Sequence, residues 1–288
     1  MFFLKLIGHL PLFILYRIAT LAKWLLYFAF SYRKKVIVNN IKNSFPDLNN
    51  SQVNALTVKF YGYLTDQMVE FFKGSTISKK EMLKRVNLVN EQIITNYLDK
   101  GIPVVLVAGH QGNWEWAVHR LALSENLYDI VYQKLSSPLF NEFTFWVRSR
   151  FGSNVLMEKR ESVILARERK NIPRAICLAA DQSPPKPESA FWTNFLNQPT
   201  GFFTGMERFA REYQYPVIFV ELIREKRGYY TMSFEELIKP SYENVDKGAI
   251  IELFARRLEK SVLKYPDQYL WSHKRWKHEK PLDIMMKW

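Results

Sequence analysis

Short apolar runs alternate with amphipathic stretches from about residue 33 to the end of the chain. The runs at 102–108, 174–180 and 215–223 are apolar almost throughout, as expected for central strands that are buried on both faces. Helical patterns between these runs predict an α/β fold, in which a central mixed, mostly parallel sheet is flanked by helices. Polar residues cluster at the carboxyl ends of the runs, where open α/β sheets bind their ligands.

Two longer segments have the helical period. Residues 51–74 form one of them, with Ser51 as the expected N-cap and Gly74 as the expected end. Residues 244–266 form the other, and the positions that share its apolar face are Ile250, Ile251, Phe254, Leu258 and Val262. The proline-rich segment 183–188 is expected to be a loop rather than a domain linker, because the strand pattern resumes soon after it.

The first 32 residues are predicted to form an N-terminal membrane-associated helix, and residues 33–288 a single α/β domain. Residues 10–30 are long enough to cross a bilayer, but Arg17 and Lys23 oppose insertion about as strongly as the apolar residues favour it. Polar residues occupy about a third of the helical wheel, which is typical of an interfacial helix or a marginal span. A helix packed on the core of its own chain is the alternative. A signal peptide is disfavoured, because no small-residue cleavage site follows.

The charge of the chain is strongly basic. Its 41 Lys and Arg residues exceed its 28 Asp and Glu residues, which gives a formal net charge of +13. Residues 1–46 contain no acidic residue. Such a molecule attracts phosphates, anionic lipid surfaces or acidic protein partners. Cys177 is the only cysteine, which excludes an internal disulfide and agrees with a reducing, cytosol-facing location.

A histidine and a glutamate flank a short polar break after the run at 102–108. If the strand ends before His110, Asn113 can cap the next helix and Glu115 lies in its first turn, where the helix dipole favours a carboxylate. We predict that His110 removes a proton from a hydroxyl that attacks an activated acyl group, and that Glu115 orients the imidazole. The alternative is a capped helix after a strand, with a histidine bonded to backbone. His119 predicts no metal site, because a zinc helix needs two histidines on one helix.

Other chemistry is disfavoured by missing motifs. The sequence has no G-x-S-x-G motif of a serine hydrolase, no Walker A loop and no G-x-G-x-x-G motif. It also shows no recognised nucleic-acid-binding module. Acyl-enzyme chemistry, nucleotide use and nucleic-acid binding are therefore not expected.

Six blocks in chain order resemble the bacterial lipid A late acyltransferases, which are relatives of the glycerolipid acyltransferases. The segment HQGNWE (110–115) is similar to the H-x4-D/E block of that family, in which the two residues form the catalytic pair. The other blocks are NNIKNSFPDL (39–48), YQKLSSPLFNEFTFWVRSRFG (132–152), ADQSP (180–184), FLNQPTGFFTGMERFAREYQYPVIFV (195–220) and YPDQYLWSHKRWKH (265–278). Together they cover nearly the whole chain.

The resemblance implies transfer of a fatty acyl chain from acyl carrier protein to a hydroxyl of a lipid A precursor. The expected partners are therefore an acidic acyl carrier protein, anionic membrane lipid and a phosphorylated glycolipid acceptor, at the cytoplasmic side of the inner membrane. No cofactor is implied, because the thioester of the donor already supplies the activation. A phosphatidylinositol-mannoside-type acyltransferase that uses acyl-CoA is the nearest enzymatic alternative. A basic membrane-binding protein is the alternative without catalysis.

Seven further residues are candidates for binding substrate: Asn113, Arg148, Arg150, Asp181, Gln182, Thr204 and Gly205. Arg150 is expected to grip a phosphate or to polarise the thioester carbonyl, and Arg148 is the neighbour that can take its place. Asp181 is a candidate to orient Arg150 or the acceptor, with an ordinary turn residue as the alternative. Backbone N–H groups at 204–205 can bind a phosphate or the oxyanion, although plain helix capping explains them equally well.

Overall fold

Seven strands form the central sheet of the computed structural model, which describes residues 2–281. The strands of this sheet are β1 (Val86–Val89), β2 (Val104–Ala108), β3 (Tyr128–Tyr132), β4 (Val155–Glu158), β5 (Ala175–Ala179), β8 (Val217–Lys226) and β9 (Tyr229–Ile238). A separate antiparallel hairpin pairs β6 (Phe191–Phe195) with β7 (Gln198–Phe202). The order of the main sheet is β1-β9-β8-β2-β5-β3-β4. Within this sheet β8 and β9 pair antiparallel and the other neighbours pair parallel, which confirms the predicted fold class.

Helices surround this sheet. They are α1 (Phe2–His9), α2 (Leu12–Trp24), α3 (Lys34–Ser44), α4 (Asn50–Gly74), α5 (Lys79–Arg85), α6 (Gln92–Leu98), α7 (Trp114–Leu121), α8 (Pro138–Arg148), α9 (Ser162–Glu168), α10 (Gly205–Tyr213) and α11 (Ala249–Lys264). Strand β2 lies between β8 and β5 and is covered on both faces, because successive side chains of a strand point to opposite sides. Val105 and Val107 belong to the hydrophobic cluster that contains residues of α10 and α11. Val104 and Leu106 belong to the cluster that contains residues of α7.

The two predicted long helices are present, but the capping residue predicted for the start of the first one was wrong. Helix α4 ends at Gly74 as expected, but its N-cap is Asn49 rather than Ser51. Asn49 has an extended backbone, and its side chain accepts a hydrogen bond from the N–H of Gln52, whose own side chain accepts from the N–H of Asn49. This reciprocal capping box satisfies two helix-end donors, which Ser51 inside the first turn cannot do. The apolar face predicted for α11 is fully buried.

The N-terminal segment packs on the core of its own chain and also carries an exposed apolar side. Helix α2 packs along α4 and buries Leu15 and Ala19 completely, and a π-helical turn at Leu25–Ala29 follows it. The opposite side of the segment exposes large apolar side chains: Leu6, Ile7, Phe13, Ile18, Leu21, Trp24, Leu25, Phe28 and Phe30. Residues Leu12–Ala29 are also long and apolar enough to be a candidate membrane span. The domain boundary at residue 32 remains a prediction.

Candidate active site

The candidate site begins where β2 ends. Gly109 follows the strand, and a Cβ atom at this position would lie 2.5 Å from Cδ1 of Leu258 on α11. The absence of a side chain therefore lets α11 pack closely against the end of β2. His110 comes next, and its side chain is 15% exposed, so the imidazole is enclosed but still accessible from solvent.

Each of the three residues after His110 is fixed to a different part of the core. Gln111 exchanges hydrogen bonds with Ser261 of α11. The carbonyl of Gly112 accepts from the hydroxyl of Tyr63 at 2.5 Å. Asn113 caps α7 by accepting from the N–H of Trp116 at 2.9 Å, as the sequence predicted. We call residues 110–113 the catalytic loop, and these contacts hold its backbone in one conformation.

The hydrogen-bond partner of His110 is Asp181, which follows β5. The Nδ1 atom lies 2.6 Å from Oδ1 of Asp181, and the backbone N–H of His110 donates to Oδ2 at 2.9 Å. On the other side of the ring, the side-chain amide of Gln182 lies 3.2 Å from Nε2. A carboxylate accepts and an amide N–H donates, so both contacts select the tautomer with its proton on Nδ1. The unprotonated Nε2 is then the basic atom of the ring.

Electrostatics around this pair make the imidazole more basic. Burial lowers the pKa of His110, but the charge and hydrogen bond of Asp181 together with the charge of Glu115 outweigh burial, and the net pKa lies above its usual value. Burial also opposes ionisation of Asp181, yet His110 and then Arg275 hold the pKa of Asp181 below its usual range. Asp181 is therefore an anion that stabilises the imidazolium form of His110.

The structure corrects the predicted contact between His110 and Glu115. Both carboxylate oxygens of Glu115 accept hydrogen bonds from Arg148, at 2.8 Å from Nε and 2.7 Å from Nη2. Glu115 lies in the first turn of α7 as expected, but this turn faces the end of α8, where Arg148 is the last residue. The bidentate pair satisfies Glu115, and Asp181 reaches the imidazole because β5 is the hydrogen-bonded neighbour of β2.

Of the two candidate arginines, Arg148 is the one whose charge acts on His110. The positive charge of Arg148 and the negative charge of Glu115 both act on the pKa of His110. The Nη1 atom of Arg150 instead donates to the carbonyl oxygens of Gly74 and Ile77, so its guanidinium stabilises the end of α4. The expected contact of Arg150 with a phosphate or with the thioester carbonyl stays a prediction, and Nη1 of this guanidinium is occupied by backbone carbonyls.

Within the described part of the chain, Thr204, Gly205 and His119 form no hydrogen bond with His110, and each lies in a helix or at its start. Thr204 is the N-cap residue of α10, and its side chain makes no capping hydrogen bond. Because α10 runs back toward the start of β8, residues Thr204 and Gly205 lie toward the carboxyl edge of the sheet. His119 is fully buried, and its Nε2 lies 2.8 Å from the carbonyl oxygen of Val147. Among residues 2–281 no group of three or more His, Cys, Asp or Glu side chains could hold a metal ion.

The C-terminal block packs behind His110 and Asp181. Trp271 is fully buried, and Arg275 is buried with its Nη1 donating to the carbonyl of Gly201. His273 accepts from the N–H of Ser183, and burial lowers the pKa of His273 to about 4, which keeps it neutral. This block therefore supports the loop that carries Asp181.

Comparison with known proteins identifies the family. The family model for bacterial lipid A biosynthesis acyltransferases matches residues 1–278. The chain belongs to this family. It is therefore an acyltransferase that acts on a lipid, and the resemblance of its six sequence blocks is confirmed at the level of the family.

One solved structure is similar to this acyltransferase along nearly its whole length. It is the crystal structure of a 1-acyl-sn-glycerophosphate (LPA) acyltransferase from Thermotoga maritima, at 11% identity and a TM-score of 0.38. The alignment covers 90% of this chain and 99% of that chain. The search of curated proteins found no match.

Proposed function

We propose that this acyltransferase transfers a fatty acyl chain from acyl carrier protein to a hydroxyl of a lipid A precursor, with His110 as the general base. The observation that carries this proposal is the hydrogen bond between Nδ1 of His110 and Asp181, which leaves Nε2 unprotonated at an accessible edge of the sheet. An imidazole held in this way is suited to accept a proton from an attacking hydroxyl.

The reaction needs no nucleophile from the protein. The acceptor hydroxyl replaces the Gln182 amide at Nε2 of His110, loses its proton to Nε2, and its oxygen attacks the thioester carbonyl carbon. Asp181 stabilises the imidazolium that forms. Collapse of the tetrahedral intermediate breaks the carbon–sulfur bond, and the imidazolium returns the proton to the departing thiolate. General base catalysis of this kind contributes roughly 10²–10⁴ in rate.

The pair of Glu115 and Arg148 has a different role in this proposal. Nε and Nη2 of Arg148 bind Glu115, so Nη1 takes no part in the pair and can donate to a bound oxygen. Burial lowers the pKa of Arg148, but Glu115 more than compensates, so the guanidinium stays charged. We assign Arg148 to the oxyanion of the intermediate or to a phosphate of the acceptor, and we assign Glu115 to positioning Arg148.

Charge supports the proposed partners and location. An acidic carrier protein, anionic lipid and a phosphorylated acceptor all suit a chain with a net charge of +13. The basic N-terminal segment with its exposed apolar side is suited to the cytoplasmic side of the inner membrane. The thioester is already activated, so the proposed reaction uses no cofactor.

The test is acyl transfer from acyl carrier protein to a lipid A precursor in vesicles, followed by mass spectrometry of the lipid. We expect His110→Ala to lose at least about 10²-fold in rate while binding to vesicles is unchanged. His9→Ala is the matched control, because His9 is exposed on α1 and far along the chain from the catalytic loop. A wild-type chain that acylates only from acyl-CoA, or only another glycolipid, contradicts the proposed donor or acceptor. A wild-type chain that binds vesicles and transfers no acyl group contradicts the proposal entirely.

A further inference from the structure

A buried glutamate outside the candidate site connects it to the N-terminal segment. Glu70 lies near the end of α4 and is 0% exposed. Its carboxylate accepts hydrogen bonds from three side chains of three different elements: Tyr16 of α2 at 2.8 Å, Tyr230 of β9 at 2.6 Å, and Asn113 of the catalytic loop at 2.7 Å. One carboxylate therefore bridges the segment with the exposed apolar face and the loop that carries His110.

Glu70 contacts both the catalytic loop and the first turn of α7. Asn113 donates to Oε2 of Glu70 through its amide nitrogen, while its amide oxygen caps α7. The indole N–H of Trp116 donates to the backbone carbonyl of Glu70 at 2.8 Å. Residues on both sides of Glu115 are thus bonded to Glu70, and a displacement of Glu70 would move the first turn of α7.

Several contacts also hold Tyr16 of the N-terminal segment in place. The backbone carbonyl of Tyr16 accepts from Arg227 at 2.9 Å, and the Arg227 guanidinium lies 4.5 Å from the centre of the Tyr16 ring. Gly228 lies against Tyr16 so closely that a Cβ atom there would be 2.2 Å from the Tyr16 hydroxyl oxygen. The hydroxyl of Tyr16 reaches Glu70 only when α2 lies in its groove between α4 and the turn between β8 and β9.

Burying a carboxylate is costly unless hydrogen bonds or a charged partner compensate for the lost water. Burial raises the pKa of Glu70 to about 7, although the hydrogen bonds from Tyr230, Tyr16 and Asn113 act in the opposite direction. The proposed reaction assigns no role to this group, although its three donors make it a junction between α2, β9 and the catalytic loop.

We infer that Glu70 is a positioning residue, which transmits the seating of α2 against the core to the catalytic loop through Tyr16 and Asn113. This inference rests on the proposed function of the loop. Its consequence is that the rate of acyl transfer depends on how α2 is held, and not only on whether the chain is bound to a membrane.

Two single substitutions test the connection, and one serves as a matched control. Tyr16→Phe removes only the hydroxyl that reaches Glu70, and Glu70→Gln leaves at least one of the three donors without an acceptor. Tyr61→Phe is the control, because Tyr61 is also buried on α4 and also bonds the N-terminal segment, through the carbonyl of Tyr32 at 2.6 Å, but has no contact with Glu70.

We expect Tyr16→Phe and Glu70→Gln to lower kcat by about 10- to 100-fold with little change in KM or vesicle binding, since displacement of a catalytic group by about 1 Å has effects of this size. In the double variant, Tyr16→Phe should cause no further loss beyond that of Glu70→Gln. Tyr61→Phe should stay within about twofold of wild type. Equal effects of Tyr16→Phe and Tyr61→Phe on kcat, or independent effects in the double variant, would overturn the inference.

Hydrogen exchange separates this inference from the proposed function, because it needs no activity. Amides of residues 109–118 should exchange at least about tenfold faster in Tyr16→Phe and Glu70→Gln, and at the wild-type rate in Tyr61→Phe. Unchanged exchange of this segment in the first two variants would refute the connection even in an active enzyme. Faster exchange in a chain without acyl transfer would support the connection and refute the proposed reaction.

Discussion

At the scale of single residues, Asp181 sets the proton chemistry of His110. The carboxylate raises the pKa of the imidazole against the opposing effect of burial, and it also accepts the backbone N–H of the same residue. A general base must be neutral to accept a proton, so activity should fall as the pH drops through the pKa of His110.

Asp181→Asn tests this interpretation through the pH profile of kcat/KM. Removing the negative charge lowers the pKa of His110, so the acidic limb of the profile should move to lower pH. The plateau rate should also fall by roughly 10²–10⁴, because the imidazolium loses its counter-ion and its fixed tautomer. An acidic limb at the wild-type pH would show that Asp181 does not act on the catalytic base.

The two arginines at the end of α8 allow a matched comparison. Lysine cannot form the bidentate contact that Arg148 makes with Glu115, whereas Arg150 bonds only backbone carbonyls. We expect Arg148→Lys to lower kcat/KM by at least about tenfold. Arg150→Lys should lower the Tm by a few degrees and leave kcat/KM within about twofold. Equal kinetic losses in the two variants would contradict the assignment of Arg148 to the oxyanion or phosphate.

At the scale of elements, the catalytic loop depends on one glycine. Gly112 has φ +62, and a Cβ atom at this position would lie 2.3 Å from the backbone oxygen of Leu222. Left-handed backbone and close approach to another strand both require glycine here. The catalytic loop therefore packs tightly against β8 and is not a flexible loop.

Gly112→Ala and Gly101→Ala separate steric clash from backbone strain. Gly101 also has positive φ, but nothing lies within 4 Å of the place where its Cβ would be. Both variants should lose about 1–3 kcal/mol of stability from strain, and Gly112→Ala about 1–3 kcal/mol more from the clash. Denaturant titration measures this difference, and acyl transfer should fall sharply in Gly112→Ala alone. Equal stability of the two variants would contradict the close packing of the loop.

The exposed apolar side of the N-terminal segment is expected to bind the membrane. Phe13 and Phe28 are 69% and 68% exposed, so replacing both with serine removes apolar surface without disturbing the core. We expect vesicle partitioning to fall at least about tenfold, with an unchanged Tm. Leu263→Ser is the control, since Leu263 is 53% exposed on α11. Equal partitioning of the control and the double variant would refute a membrane role for this side.

At the scale of the whole molecule, the net charge of +13 governs encounters with charged partners. The Debye length falls from about 30 Å at 0.01 M salt to about 8 Å at 0.15 M, so long-range attraction weakens over this range. KM for acyl carrier protein as donor should therefore rise several-fold over the same range, with little change in kcat. A small uncharged thioester is the matched donor, and its KM should not change. A salt-independent KM for the carrier protein would contradict electrostatic recognition of the donor.

Local features of the chain were predictable because they depend on neighbours in sequence. The apolar run before His110 predicts β2, Asn113 predicts the cap of α7, and the position of Glu115 in the first turn follows directly. The partner of His110 could not be predicted in the same way. Asp181 lies 71 positions away, and it reaches the imidazole only because β5 adds beside β2.

The sequence by itself determined the fold class, the family and the loop that carries His110, because hydrophobic period, capping residues and motif order are properties of short segments. Only the tertiary structure decided which acid bonds the imidazole, which arginine pairs with Glu115 and that Glu70 joins α2 to the catalytic loop. Those pairings depend on the order of strands and on which helix faces meet. Several charged side chains of similar chemistry are possible partners in the sequence, and only the packing of the folded chain shows which one lies within hydrogen-bond distance.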